Sequence, residues 1–152
     1  MLLAKLKLPD SNGLTLAELL VVIAIIALAS AITVPFYRVI AMNLDLSAAA
    51  RDLASDLRYA QQLAVTTQVN HQVIFTLANN SYDLKNSGSN AIVKSRIIKS
   101  PITILSITGL PGNTVTFNST GAATSTGIIT LTNPNNRTST IEIKPSGYVK
   151  IQ

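Results

Sequence analysis

The sequence predicts an α+β protein. One long N-terminal helix, transmembrane in its first half and amphipathic in its second, packs on an antiparallel β-sheet or β-sandwich head. Three observations predict it. Residues 14–34 form an almost unbroken apolar run. Residues 46–64 place apolar side chains at helical spacing. From about residue 68, short β-branched runs alternate with clusters of turn formers.

The apolar run reads LTLAELLVVIAIIALASAITV, 21 residues with one charge, Glu18. As a helix it would span about 31 Å, the thickness of a bilayer core. Lys5 and Lys7 precede it, and Arg38 is the first basic residue beyond it. The positive-inside tendency therefore keeps the short N-terminal segment cytoplasmic and exports the rest. A cleaved secretory signal fits less well. Its core is shorter, about 7–15 residues, and the small-residue triplet Ala27-Leu28-Ala29 lies inside the run rather than after it.

The helical pattern continues past Pro35, where a missing backbone donor predicts a kink. Leu46, Ala50, Leu53, Leu57, Ala60 and Ala64 recur every three or four residues, with Asp45, Arg51, Asp52, Asp56 and Arg58 expected on the other faces. Strands are predicted at 71–77, 82–84, 92–98, 102–107, 115–117, 128–131, 138–143 and 148–151. Turn signals such as Asn86-Ser87-Gly88, Pro111-Gly112-Asn113 and Pro145-Ser146-Gly147 separate them, so the strands read as an antiparallel meander. The amphipathic half of the helix is the natural lid for so small a sheet.

Composition excludes much chemistry. The chain is 47% hydrophobic and 12% charged, with a mean hydropathy of +0.37. It has no cysteine and one histidine, so disulfides, thiolate chemistry and multi-histidine metal sites are ruled out. His71, at a strand start, reads as a surface or edge residue. No nucleophile elbow or phosphate-binding glycine loop occurs. Asn79-Asn80-Ser81, Asn118-Ser119-Thr120 and Asn136-Arg137-Thr138 fit the glycosylation sequon but read as polar loops. No enzyme activity and no cofactor are expected. Residues 68–152 carry seven basic side chains against Asp83 and Glu142, a net charge of +5. Such an excess serves solubility, or attracts a polyanion such as DNA.

The segment GLTLAELLVVI, residues 13–23, resembles the processing and assembly signature of type IV prepilins and type II secretion pseudopilins. The resemblance implies a leader over residues 1–13, a helix over 14–66 with 14–34 as membrane span and later filament core, and a β-rich head over 67–152. It implies cleavage by a prepilin peptidase between Gly13 and Leu14, N-methylation of Leu14, and assembly through Glu18 with other pilins or pseudopilins. Leu14 stands where the family usually has phenylalanine. Pro35 falls where these helices commonly carry a proline. The freed amine of Leu14 would pair with Glu18 of a neighbouring subunit. Thr15-x-x-Glu18 is equally a capping box, a local helix-start device. Yet a carboxylate in a membrane span costs about 2.5–3.5 kcal/mol at mid-bilayer and less near the interface, so one a single turn into the span usually has a partner.

Two further segments, LASDLRYAQQLA at 53–64 and VTFNSTG at 115–121, with the late Gly147, are similar to pseudopilin H and the FimT-type minor pilins. That likeness implies a subunit in the inner membrane with its head in the periplasm, later in a pilus or pseudopilus. Its alternative implication is a role in DNA uptake, for which Arg137, Lys144 and Lys150 are the candidates. A membrane-anchored exported domain that never polymerises is the remaining alternative.

Overall fold

The computed structural model describes residues 15–152. One helix, α1 (Leu16–Thr67), precedes eight strands: β1 (His71–Thr76), β2 (Ser81–Asn86), β3 (Ile92–Ile97), β4 (Thr103–Thr108), β5 (Thr114–Phe117), β6 (Gly127–Thr132), β7 (Thr138–Ile143) and β8 (Val149–Ile151). The chain divides into two compact units between Arg38 and Val39. In the first, the described side chains of α1 are all exposed. This stretch is apolar all round, and among the described residues of its own unit nothing covers it.

The second unit holds the rest of α1 and all the strands. Leu46, Ala50, Leu53, Ala54, Leu57, Ala60 and Ala64 are buried along one side of the helix, as the spacing predicts. The strands form two four-stranded antiparallel sheets, ordered β3-β2-β1-β5 and β4-β6-β7-β8. Strand alternation then fills the core. Val73 and Phe75 of β1, Tyr82 and Leu84 of β2, and Val115 and Phe117 of β5 point inward from the first sheet. Ile129, Leu131, Ile141, Ile143 and Val149 do so from the second. These residues and the helical stripe make one continuous hydrophobic cluster.

The expected meander is corrected. After β3 the chain leaves the first sheet for β4, returns for β5, and crosses again to β6. Alternation within a strand marks its buried face but carries no information on its partner, so one sheet could not be told from two.

Side-chain hydrogen bonds hold the crossings. Asn80, at φ +50°, donates to the carbonyls of Ile98 and Ile102 and accepts from the Ile104 amide. It thereby ties the end of β3 to the start of β4. Asn118 Oδ1 accepts from the amides of Thr120 and Ala122 and folds the turn after β5.

Candidate functional site

The start of α1 is built by two residues. Glu18 Oε2 accepts from the Thr15 amide and from Thr15 Oγ1, both at 2.9 Å, and the Glu18 amide donates back to Thr15 Oγ1 at 3.2 Å. This reciprocal arrangement satisfies donors that a helix start leaves open. Beyond it, Leu16, Leu19, Leu20, Ile25 and Leu28 are more than half exposed. The span is long and apolar enough to cross a membrane. Gly13 and Leu14, the expected cleavage and methylation positions, lie outside the described residues. Pro35, the expected kink, falls within the α1 span.

A second polar centre lies where the helix meets the first sheet. Asp56 was expected on an outer face of α1 but is 5% exposed. Its Oδ1 takes Lys94 Nζ at 2.6 Å, and its Oδ2 takes Tyr82 Oη at 2.8 Å and Arg96 Nε at 3.3 Å. Arg96 Nη1 also reaches Asp52 Oδ2 at 3.1 Å. The register explains the convergence. Lys94 pairs with Leu84, and Arg96 with Tyr82, so both cations stand on the inward face of the edge strand β3. Burial, then the bond to Asp56, pushes the Tyr82 hydroxyl above the ordinary tyrosine range. The sequence held a signal for this: Asp56 sits three residues after Leu53 and four before Ala60, on the buried stripe itself.

His71 is also corrected. It is 2% exposed, in a strand flanked on both sides, with Nδ1 bonded to the Val69 carbonyl at 2.9 Å. Arg58 is exposed, as expected for an outer face, and its guanidinium donates to the Val149 carbonyl at 3.0 Å and secures β8 to the helix.

The basic residues are spread over the head. Lys94 and Arg96 are committed to the helix carboxylates. Arg137 precedes β7 and Lys144 follows it, roughly 20 Å apart along the strand. Lys150 stands opposite Glu142 in the strand register on the outer face of the second sheet, at the Lys144 end. Arg137 instead lines a groove beside α1 with Arg51. Among the described residues no cluster of metal-ligating side chains occurs.

Two family models match the chain: the prokaryotic N-terminal methylation motif over residues 8–34, and the type II transport protein GspH over residues 49–147. No curated protein matches it in sequence. Among solved structures, the type IV minor pilin FimU of Pseudomonas aeruginosa is similar with a TM-score of 0.59 and 14% identity, over 72% of this chain and 90% of that one. The minor pseudopilin EpsH of the Vibrio cholerae type 2 secretion system gives 0.61 and 9%, over 71% and 96%. At these identities the likeness establishes the fold, which is the pilin-like α+β architecture.

Proposed function

The chain belongs to the GspH family of type II transport proteins, and from that premise we propose that it is a minor pilin or pseudopilin, a structural subunit rather than an enzyme. It is made with a leader over residues 1–13, cut after Gly13 by a prepilin peptidase and methylated on Leu14. It waits in the inner membrane as a single-pass protein, with Lys5 and Lys7 inside and the head exported. From there it enters a type IV pilus or a type II secretion pseudopilus beside other pilin-like subunits.

One observation carries the reading. The methylation motif over residues 8–34 coincides with an exposed apolar helix that opens on a single carboxylate. In the monomer that carboxylate caps its own helix through Thr15. In the filament it would exchange this local bond for the Leu14 amine of the adjoining subunit, a charge pair formed in an apolar setting where it is worth most. Net charge alone favours the DNA-uptake role, because Arg137 stands apart from Lys144 and Lys150. The structural role is therefore the reading adopted.

Intact mass and N-terminal sequencing of the protein from its native membrane test it. A chain beginning at Leu14, with a methylated amine, is expected. A chain retaining Met1–Gly13 in cells that hold the peptidase would leave a plain membrane-anchored domain instead.

A further inference from the structure

β3 differs from every other strand of the head in burying no side chain. Ile92, Val93 and Ile97 are 59%, 44% and 71% exposed, and Lys94, Ser95 and Arg96 keep access to water. Each of the other seven strands places at least one residue in the core. β3 is also an edge strand, so its backbone ladder with β2 lies open to water on one side. The hydrophobic burial that holds β1, β2 and β5 in the first sheet is missing here. A segment of that kind opens at a fraction of the global unfolding free energy.

Polar contacts tie its side chains instead. Ser95 Oγ donates to Asp83 Oδ1 at 2.6 Å. Lys94 and Arg96 both reach the Asp56 carboxylate on α1, and Arg96 also reaches Asp52. Closed, β3 supplies the cations that so deeply buried a carboxylate needs. The two ends of the segment are fixed by other means. Before β3, the Asn86 amide donates to the Ala91 carbonyl, Asn86 Oδ1 accepts from the Gly88 and Ser89 amides, and the Ser87 amide holds the Asn70 carbonyl. After β3, Ile98 is buried, and its amide and carbonyl are both bonded to Asn80. The stretch between, residues 91–97, is a strap pinned at both ends and latched in the middle.

We propose that β3 lifts while the rest of the head stays folded, and that the charges of Lys94, Arg96 and Asp56 set how often it does so. Lifting makes β2 the edge of the first sheet, with backbone donors and acceptors that water or an added strand must satisfy. The latch thereby gates that edge. The strap belongs to the head alone and works alike whether or not the chain polymerises. The competing account is a fixed edge strand, released only when the head unfolds, whose inward cations merely discourage pairing with other chains.

Hydrogen exchange of the full chain in detergent micelles, read by mass spectrometry, separates the two. Peptides covering β3 should exchange well before those covering β6 and β7. Ile141→Val trims the core of the second sheet and weakens the lifted and closed forms equally. It should therefore speed exchange in β6 and β7 roughly fivefold and leave β3 unchanged. Lys94→Met keeps a long aliphatic side chain but removes the charge, and should speed exchange across β3 roughly tenfold. Asp56→Asn, which keeps an acceptor for the Tyr82 hydroxyl, should act in the same direction.

Exchange of β3 in step with β6 and β7 in the wild type overturns the proposal, because the strand then opens only with the whole head. So does an Ile141→Val variant in which β3 accelerates by the same factor as β7. A β3 that exchanges early but ignores both Lys94→Met and Asp56→Asn overturns the latch, since charge then plays no part in holding it down.

Discussion

Around the Asp56 carboxylate, a phenol and two cations from the first sheet converge on one side chain of the helix. Asp56→Ala strands the buried Tyr82 hydroxyl, leaves Lys94 unpaired and leaves Arg96 with Asp52 alone. Because both cations keep partial access to water, the expected loss is about 2–3 kcal/mol, below that for a fully buried pair. Tyr82→Phe removes a single hydrogen bond to a charged acceptor and is expected to cost about 1–2 kcal/mol. Denaturant unfolding of the full chain in detergent measures both. Tyr82 also gives a pH signature. The folded protein retains a phenolic proton that the unfolded chain releases near pH ~10. The stabilisation from this group is therefore complete below about pH 10 and declines as the pH rises above it. The stability advantage of the wild type over Tyr82→Phe should stay constant up to about pH 9.5 and shrink beyond. An advantage that stays flat to pH ~11 would place the hydroxyl in water instead.

Along α1, the buried stripe mixes leucine with alanine: Leu53 and Leu57 fill space, while Ala50, Ala54, Ala60 and Ala64 let the helix approach the sheets closely. The two kinds should fail differently. Leu57→Ala opens a cavity, for about 2–5 kcal/mol, and Ala60→Leu overfills the seam, for about 1–3 kcal/mol. The β7–β8 turn is tighter still. Gly147 has φ +79°, and a Cβ there would strike the Gly121 carbonyl and Gln61, whose own amide donates to that carbonyl at 2.7 Å. Gly147→Ala is expected to cost about 2 kcal/mol or more, again read by unfolding. At this scale the sequence was readable wherever the pattern is local. The helical stripe and the eight strands announce themselves through spacings of three to four and of two. The placement of β5 beside β1 and of β6 beside β4 depends on long-range pairing that no local period encodes. Asp56 was assigned to the wrong face because its charge type outweighed its position on the stripe. The Arg51–Arg137 groove joins residues from distant parts of the chain, so only the fold brings it into view.

For the molecule as a whole, the central question is whether Glu18 is a cap or a joint. Deleting its side chain cannot answer it, because Glu18→Ala removes both the bond to Thr15 and the charge. Glu18→Gln separates them. An amide at the third position of a capping box still accepts from the Thr15 amide, so the helix start survives, but the negative charge that would meet a neighbour's Leu14 amine is gone. If Glu18 only caps, the glutamine variant should behave as the wild type throughout. If it joins subunits, the variant should be made, inserted and trimmed to Leu14 at normal levels, then stay in the membrane and be absent from sheared filaments. The comparison is carried out on one preparation, with leader removal followed by mass and filament content by immunoblot. Normal incorporation of Glu18→Gln would return the residue to a helix cap and leave the apolar span to carry assembly without it. Loss of incorporation with intact trimming would place the charge itself at the point where a membrane-resident chain becomes a filament subunit.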